Sequence, residues 1–144
     1  MKKLLLLLLC VPLIGLGQTE YKKIYYENGQ LKSEGNYVDG KKDGLWKSYF
    51  DNDELLKYSP YSYKENQIQL KTETYYKNDK YNGLMKEYWP DGGLMKEASY
   101  KEDIPIVIKI YHPISGKLWS ESRYKDGEII YKKCFDEAGN EIRC

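Results

Sequence analysis

A short pattern that recurs along the chain constrains its fold more than any other feature. Glycine is followed by leucine, glutamate and tyrosine at fixed intervals in GQLKSEGNY (29–37), GGLMKEASY (92–100) and GKLWSESRY (116–124). The last tyrosine of the pattern recurs after intervals of 39, 24 and 24 residues, at Tyr37, Tyr76, Tyr100 and Tyr124. Self-similarity with a period of about 20–50 residues is typical of a repeat architecture.

One repeat is longer than the others by 15 residues. Leu31 and Leu55 are 24 residues apart, but the next leucine of the pattern, Leu94, lies 39 residues beyond Leu55. The spacing therefore predicts that Leu55 occupies the leucine position of the second unit. It also predicts an insertion around residues 56–70, an enlarged loop that leads into a strand from Gln67.

Each unit continues with a second aromatic segment of similar length. DGLWKSYF (43–50) matches NGLMKEYW (82–89), and later units have IVIKIY (106–111) and IIYKKCF (129–135). Short segments of this kind, separated by Asn-Gly and Asp-Gly pairs, indicate β-hairpins. The sequence therefore predicts an all-β fold, an elongated single-layer antiparallel β-meander of about ten strands, with two strands in each 24-residue repeat.

Side chains alternate between the two faces of such a sheet. In residues 31–37, leucine, serine, glycine and tyrosine share one face, which we expect to be the packing face because small residues separate the large ones. Glycines are expected wherever the chain turns. The predicted turn glycines are Gly29, Gly40, Gly44, Gly83, Gly92, Gly116, Gly127 and Gly139.

The first 17 residues have the pattern of a cleaved signal peptide. MKK is positively charged, residues 4–16 are apolar, and glycines stand at positions −3 and −1 of a cut after Gly17. This apolar run is shorter than the roughly 20 residues that span a bilayer. We therefore expect a repeat domain of residues 18–144 that is exported to the periplasm, the outer envelope or the extracellular space.

The charge balance of the remaining chain argues against nucleic-acid binding. Without Lys2 and Lys3, 21 basic residues stand against 22 acidic ones. Proteins that bind nucleic acids usually carry a clustered basic excess, which is absent from this sequence. All 16 tyrosines follow Gly17, and tyrosine favours the half-buried surface of a sheet.

The motifs that suggest chemistry are all weak. GKKDG (40–44) lacks the spacing of a phosphate-binding loop and precedes a strand rather than a helix, so it is interpreted as a hairpin loop. DNDE (51–54) lacks the glycine and the final glutamate of a calcium loop, and is interpreted as a degenerate turn. His112 is the single histidine, which leaves a triad or a zinc site unsupported. We predict no catalytic residues, no metal site, no cofactor and no enzyme activity.

A glutamate recurs in each unit and allows two interpretations. These residues lie two strands apart, about 9–10 Å from one another, which is too far for a catalytic carboxylate pair. They form either a solvated face with lysine neighbours or a carboxylate row that recognises a basic partner. The residues are Glu34, Glu73, Glu97 and Glu121.

The last hairpin contains two cysteines. In CFDEAGNEIRC (134–144), a three-residue loop at residues 138–140 would pair Glu137 with Glu141 and Cys134 with Cys144. Directly opposed residues of antiparallel strands approach disulfide geometry. We therefore predict a structural disulfide between Cys134 and Cys144, which an oxidising compartment would preserve.

The second segments resemble the MORN-repeat variant of bacterial proteins described as YwqK-like antitoxins. The clearest copy is at residues 83–97, and the other matching positions are Gly44, Trp46, Lys47, Tyr49, Phe50 and residues 51–55. The resemblance covers nearly all of the chain after Gly17. It implies a β-hairpin repeat fold and a role in neutralising a partner protein, such as a toxin.

These observations predict an exported, non-enzymatic β-repeat module that binds a macromolecular partner, in its most concrete form an antitoxin-like or immunity-like protein. An open single-layer sheet leaves aromatic side chains accessible for docking. The alternative is an envelope-associated module that recognises glycan or lipid headgroups through the same aromatic residues and through Lys41 and Lys42. The predicted contact residues are Trp46, Tyr49, Phe50, Tyr88, Trp89 and Trp119.

Overall fold

The computed structural model describes residues 18–58 and 68–144. The predicted signal peptide, residues 1–17, and residues 59–67 of the predicted insertion lie outside the described residues. Ten strands and one helix, α1, make up the described part. In chain order, the elements are β1 (Thr19–Tyr25), β2 (Leu31–Val38), β3 (Lys41–Tyr49), α1 (Asn52–Tyr58), β4 (Leu70–Lys77), β5 (Lys80–Tyr88), β6 (Leu94–Lys101), β7 (Ile104–Tyr111), β8 (Leu118–Lys125), β9 (Glu128–Phe135) and β10 (Glu141–Ile142).

The strands form one open antiparallel sheet in which every strand pairs with its neighbours in sequence. The predicted β-meander is therefore confirmed. Two kinds of hairpin loop alternate along it. Two-residue turns with positive φ at both residues, such as Asp39–Gly40 and Glu102–Asp103, lie at one end of the sheet. Such turns match the right-handed twist of the strands that they join.

Longer loops connect the strands at the other end, which we call the long-loop end. Each of these loops is closed by a hydrogen bond between its first and last residues, such as Tyr26 N to Gln30 O (2.8 Å) and Trp89 N to Gly93 O (2.8 Å). The insertion is held in the same way, because Phe50 N donates to Gln69 O at 3.0 Å. It is therefore an enlarged long-end loop that leaves the strand pairing intact.

One sheet face, which we call the packed face, contains a central row in which small and large residues alternate. Gly35 pairs with Trp46, and Trp46 also pairs with Thr74. The alternation continues through Met85, Ala98, Ile108 and Ser122 on the following strands. The small members of this row are buried: Gly35, Thr74, Ala98 and Ser122. These small residues leave room for the large side chains of the neighbouring strands, so a single layer can bury side chains on one of its faces.

The prediction for Leu55 and residues 51–54 is wrong, because this segment forms α1 rather than a turn and a strand. Asp51 caps the helix by accepting a hydrogen bond from Glu54 N at 2.7 Å. Leu55 is buried in α1, at 6% exposure. The leucine position of the second unit is filled by Leu70, which pairs with Tyr49 as Leu31 pairs with Tyr25. The strand that follows the insertion accordingly starts at Leu70 and not at Gln67.

Two of the predicted turn glycines lie inside strands. Gly44 belongs to β3 and Gly83 to β5. Each stands at a β-bulge, where the pairing register of the strand shifts. All eight predicted glycines have positive φ, and the bulges explain why this conformation is required away from a turn. Lys41 and Lys42, which the sequence analysis placed in a hairpin loop, are the first two residues of β3.

The disulfide between Cys134 and Cys144 is present, with their Cα atoms 5.2 Å apart. The pairing predicted for this hairpin is nevertheless wrong. Ile142, rather than Cys144, stands opposite Cys134, and Glu141 stands opposite Phe135. The hairpin loop is longer than predicted because Asp136 N donates to Asn140 O, and the Asp136 carboxylate accepts from Asn140 N. The disulfide thus joins Cys134 of β9 to Cys144, two residues beyond the end of β10.

Candidate functional site

The face opposite the packed face carries a continuous row of alternating lysine and glutamate, which we call the ladder. Each lysine stands directly opposite a glutamate on the neighbouring strand, from β1 to β9. The members in strand order are Lys23, Glu34, Lys47, Glu73, Lys86, Glu97, Lys109, Glu121 and Lys133. Opposite charges on facing strands stabilise a sheet.

Ion pairs and tyrosines complete the ladder. Lys23, Lys47 and Lys109 reach glutamates on adjacent strands at 3.7–4.0 Å. The hydroxyl of Tyr49 donates to Glu34 at 2.6 Å, and that of Tyr88 donates to Glu73 at 2.9 Å. The recurring glutamates are therefore paired within the sheet. This arrangement supports the first interpretation, a face with lysine neighbours, over a carboxylate row that is free for a basic partner.

These contacts shift the titration of the tyrosines and of one glutamate. The hydroxyl of Tyr49 lowers the pKa of Glu34 by stabilising the carboxylate, with smaller contributions from Tyr21 and Lys23. Burial and the hydrogen bond to Glu73 raise the pKa of Tyr88 to about 12. Burial, and then the bond to Glu34, likewise raise the pKa of Tyr49. Two predicted contact residues, Tyr49 and Tyr88, are thus engaged within the sheet.

Two further predicted contact residues are buried. Trp46 is 3% exposed, and its indole Nε1 donates to Asn36 O at 2.9 Å. Lys42 covers one side of the ring, with its Nζ 4.4 Å from the ring centroid. Phe50 is 7% exposed. Since both side chains are enclosed by the protein itself, they contribute to the fold, and a docking surface has to be formed by other residues.

A row of ring-bearing side chains lies at the long-loop end. The first residue of each long loop is aromatic in four consecutive units, and we call these four residues the closing row. They lie two strands apart, about 9–10 Å from one another. The members are Tyr26, Phe50, Trp89 and His112.

Where a side chain lies against a ring of the closing row, that side chain comes from the start of the following strand. Lys32 lies over the ring of Tyr26, with its Nζ 5.3 Å from the centroid, and Lys71 lies over Phe50 at 5.1 Å. The fourth unit replaces the lysine with Trp119, which stacks on His112 with the ring centroids 5.3 Å apart. Trp119 is 49% exposed, so this stack presents an aromatic surface to solvent.

The polar atoms of the closing row bond to the next repeat, with one exception. Tyr26 Oη donates to Tyr49 O at 2.8 Å, and His112 Nε2 contacts Phe135 O at 3.4 Å. The indole Nε1 of Trp89 is buried and has no hydrogen-bond partner among the described residues. The described residues thus leave the hydrogen-bonding capacity of this indole N–H unused, which is energetically unfavourable for a buried donor.

Grooves lie on both sides of Trp89. One, of about 150 Å³, is lined by Trp89, Pro90, Phe50 and Lys71 among others. The other, of about 360 Å³, lies between Trp89 and the loop that contains His112 and Ile114. Trp89, His112 and Trp119 thus form a connected surface, which we call the aromatic end.

Metal chemistry and membrane-spanning helices find no support in the part of the chain that the structure describes. No group of three or more histidine, cysteine, aspartate or glutamate residues in residues 18–58 and 68–144 could hold a metal ion. Over the same residues, no helix has the length and apolar character needed to cross a membrane.

The sequence prediction found Trp89 and Trp119 but missed Tyr26 and His112. Their common feature was visible in the sequence: each directly follows a tyrosine at a strand end, as Phe50 and Trp89 do. Among the predicted contact residues, the structure brings Trp89 and Trp119 together through His112. It places Trp46 within the packed face instead.

Comparison with known proteins identifies the repeat. The family model described as the MORN repeat variant matches residues 21–39, 42–63 and 81–102. No curated protein and no solved structure matched the chain. Each matched segment begins within a strand that ends in Lys-x-Tyr and continues into the loop that follows it. These three segments, 63 of the 144 residues, are therefore similar to the MORN repeat variant.

Proposed function

We propose that this chain is a non-enzymatic, exported module that binds a partner protein through its aromatic end. Repeats of the MORN type often mediate binding to membranes or to proteins. The observation that carries the proposal is the stack of Trp119 on His112, which stays exposed beside a groove that ends at Trp89. Exposed aromatic residues on a rigid scaffold are typical of the central contacts of protein interfaces.

The other surfaces of the sheet are less suited to docking. The ladder neutralises its own charges, and the central row of the packed face is filled by its own side chains. The aromatic end combines the exposed ring of Trp119 with the groove between Trp89 and the His112 loop, and therefore offers apolar surface for burial. A partner segment that inserts an apolar side chain into this groove would cover that surface.

The resemblance to YwqK-like proteins supports a specific form of this proposal, in which the partner is a toxin that the module neutralises. The predicted signal peptide supports an encounter outside the cytoplasm. In this form, the module acts by occupying a surface of the toxin, and no bond is made or broken.

The test is capture of partners by the purified protein, repeated with Trp119→Ala and Trp89→Ala. The matched control is Ile129→Ala, which removes an exposed apolar side chain (53%) from β9, away from the long loops. We expect one protein to be recovered by the parent and the control but not by the two tryptophan variants. Its expression alone should inhibit growth, and co-expression of the module should restore growth.

Other outcomes would overturn the proposal. Saturable binding to a glycan array or to anionic vesicles that Trp89→Ala abolishes, without any recovered protein, would establish the glycan or lipid alternative. Recovery that is equal for all variants would show that the aromatic end is not the contact surface. If the captured protein has no effect on growth, protein binding is supported and the toxin form of the proposal is excluded.

A further inference from the structure

The strands of the sheet are of two types, and in the described sheet β1 has a neighbour of the other type on one side only. Glutamate strands carry Leu-x-x-Glu (β2, β4, β6 and β8), and lysine strands carry Lys-x-Tyr or Lys-x-Phe (β1, β3, β5, β7 and β9). Each lysine strand from β3 onward follows a glutamate strand. Only β1, among the strands of the described sheet, is a lysine strand with no strand before it.

In the interior of the sheet, a lysine strand binds the glutamate of the strand before it. On β3, Lys47 stands opposite Glu34, and the Tyr49 hydroxyl donates to the same carboxylate. On β5, Lys86 stands opposite Glu73, and the Tyr88 hydroxyl donates to it. On both strands, the glutamate of the preceding strand is held by the tyrosine hydroxyl, and the lysine of Lys-x-Tyr stands opposite it in register.

The corresponding residues of β1 are Lys23 and Tyr25, and their outer side is open. All seven residues of β1 are exposed, and Tyr25 is 55% exposed. Its hydroxyl has no hydrogen-bond partner among the described residues, in contrast to Tyr49 and Tyr88. Lys23 contacts Glu34 at 3.8 Å on its inner side, as Lys47 contacts Glu73, but it has no carboxylate opposite it on the outer side.

The backbone of β1 also has polar groups that face away from β2. Asp39 N donates to Gln18 O, so Gln18 and Asp39 form a hydrogen-bonded pair. Because such pairs alternate along antiparallel strands, the N–H and C=O groups of Tyr21 and Lys23 point away from β2. The outer edge thus offers free backbone groups at Lys23, the residue that would face the incoming glutamate.

We propose that the outer edge of β1 binds an extended, glutamate-containing segment of a partner protein as an added antiparallel strand. The partner's glutamate would stand opposite Lys23 and accept a hydrogen bond from Tyr25. Addition of a strand to an exposed sheet edge is an established mode of peptide recognition, in which backbone bonds provide affinity and side chains provide selectivity. The surface is separate from the aromatic end, so either proposal can fail without the other.

Segments of this chain fit the site less well. Residues 1–17 contain no acidic residue. The ladder glutamates of a second copy lie on strands that are already paired on both sides. Symmetric pairing of two β1 strands gives Lys23 no glutamate: centred on Tyr21, it places Lys23 opposite Thr19, and centred on Lys22, it places that lysine against its own copy. Charge complementarity therefore favours a different protein.

The test uses a labelled peptide with the sequence of β4, LKTETYYK, and the same peptide with Glu73→Gln. We expect the glutamate peptide to bind up to about fivefold more tightly, as one cross-strand ion pair allows. With the protein variant Lys23→Gln or Tyr25→Phe, the difference should shrink, and with both substitutions together the two peptides should bind equally. The control Lys133→Gln, on the last long strand, should retain the difference. Exchange of the Tyr21 and Lys23 amides should slow when the peptide is added.

Three results would overturn the proposal. The first is equal binding of the two peptides to the unaltered protein, or no binding at all. The second is a difference that survives the combined substitution of Lys23→Gln and Tyr25→Phe, which would place the peptide elsewhere on the sheet. The third is a concentration-dependent dimer, seen by sedimentation, that protects Tyr21 and Lys23 without peptide, because the occupant would then be a second copy.

Discussion

The indole of Trp46 lies directly over the α-carbon of Gly35, its partner across the β2–β3 pair. A Cβ atom added to Gly35 would lie 2.5 Å from Trp46 Cδ2, which is well inside contact distance. Tyr37 packs edge-on against the same indole, with the ring centroids 5.0 Å apart. The burial of the largest side chain in this single layer therefore depends on the absence of a side chain at one position.

Gly35→Ala should lower the free energy of unfolding by about 1–3 kcal/mol, the usual range for overpacking a filled site. The backbone of Gly35 does not have positive φ, so the effect would come from the clash with Trp46. Urea unfolding followed by tryptophan fluorescence measures it. Ser122→Ala, at the equivalent position of a later unit, is the control and should change stability far less. Equal losses for the two variants would contradict this explanation.

Glu73→Gln should destabilise the centre of the ladder. Glu73 contacts Lys47 at 3.7 Å and accepts the Tyr88 hydroxyl at 2.9 Å. We expect the free energy of unfolding to fall by about 1.5 kcal/mol, the lower end of the range for hydrogen bonds to a charged group. Glu20→Gln, whose ion pair with Lys22 is solvent-exposed, should change the free energy by less than about 0.5 kcal/mol. A larger effect at Glu20 would show that net charge, rather than the ladder, controls stability.

Stability should fall at alkaline pH because of the tyrosines bound to the ladder. The pKa of Tyr88 rises from 10.0 to about 12 in the folded protein, so the neutral hydroxyl is favoured there. Its contribution is complete below pH 10, where the unfolded state is also neutral, and is lost between about pH 10 and 12. Tyr88→Phe should therefore lose less stability over this interval than the parent protein. Parallel pH profiles for the two proteins would refute the assignment.

The repeat spacing predicted the sheet because its information is local. Every hairpin is specified by turn residues and by alternation within a few positions, and the order of strands in a meander follows from chain order. The spacing of Glu34, Glu73 and Glu97 repeats the 39-residue and 24-residue intervals of the tyrosines, which puts the extra residues of the second unit between Glu34 and Glu73. Leu55 was misassigned because it repeats the spacing by coincidence. The capping pair Asp51 and Glu54 indicates a helix at this point.

The candidate sites could be predicted only in part, because they depend on contacts between units. Whether Trp46 is buried or exposed is decided by its cross-strand partner Gly35, and a bulge shifts the register between these strands. Trp119 and His112 meet because the hydrogen bond from His112 N to Lys117 O closes their loop and brings the start of β8 beside the His112 ring. Which lysine stands opposite which glutamate depends on the register of every strand pair.

Removal of the disulfide should loosen one end of the sheet and leave the rest unchanged. Cys134 and Cys144 close a loop of ten residues, and β10 is otherwise held by two residue pairs and by the contact of Lys133 with Glu141 at 2.7 Å. Cys144→Ser should abolish amide protection in β10, with a global loss below about 3 kcal/mol. Protection of β2 to β7 should persist, because each of these strands pairs on both sides with a long neighbour. Hydrogen exchange measured strand by strand tests this, and a uniform loss of protection would show that the sheet unfolds as one cooperative unit.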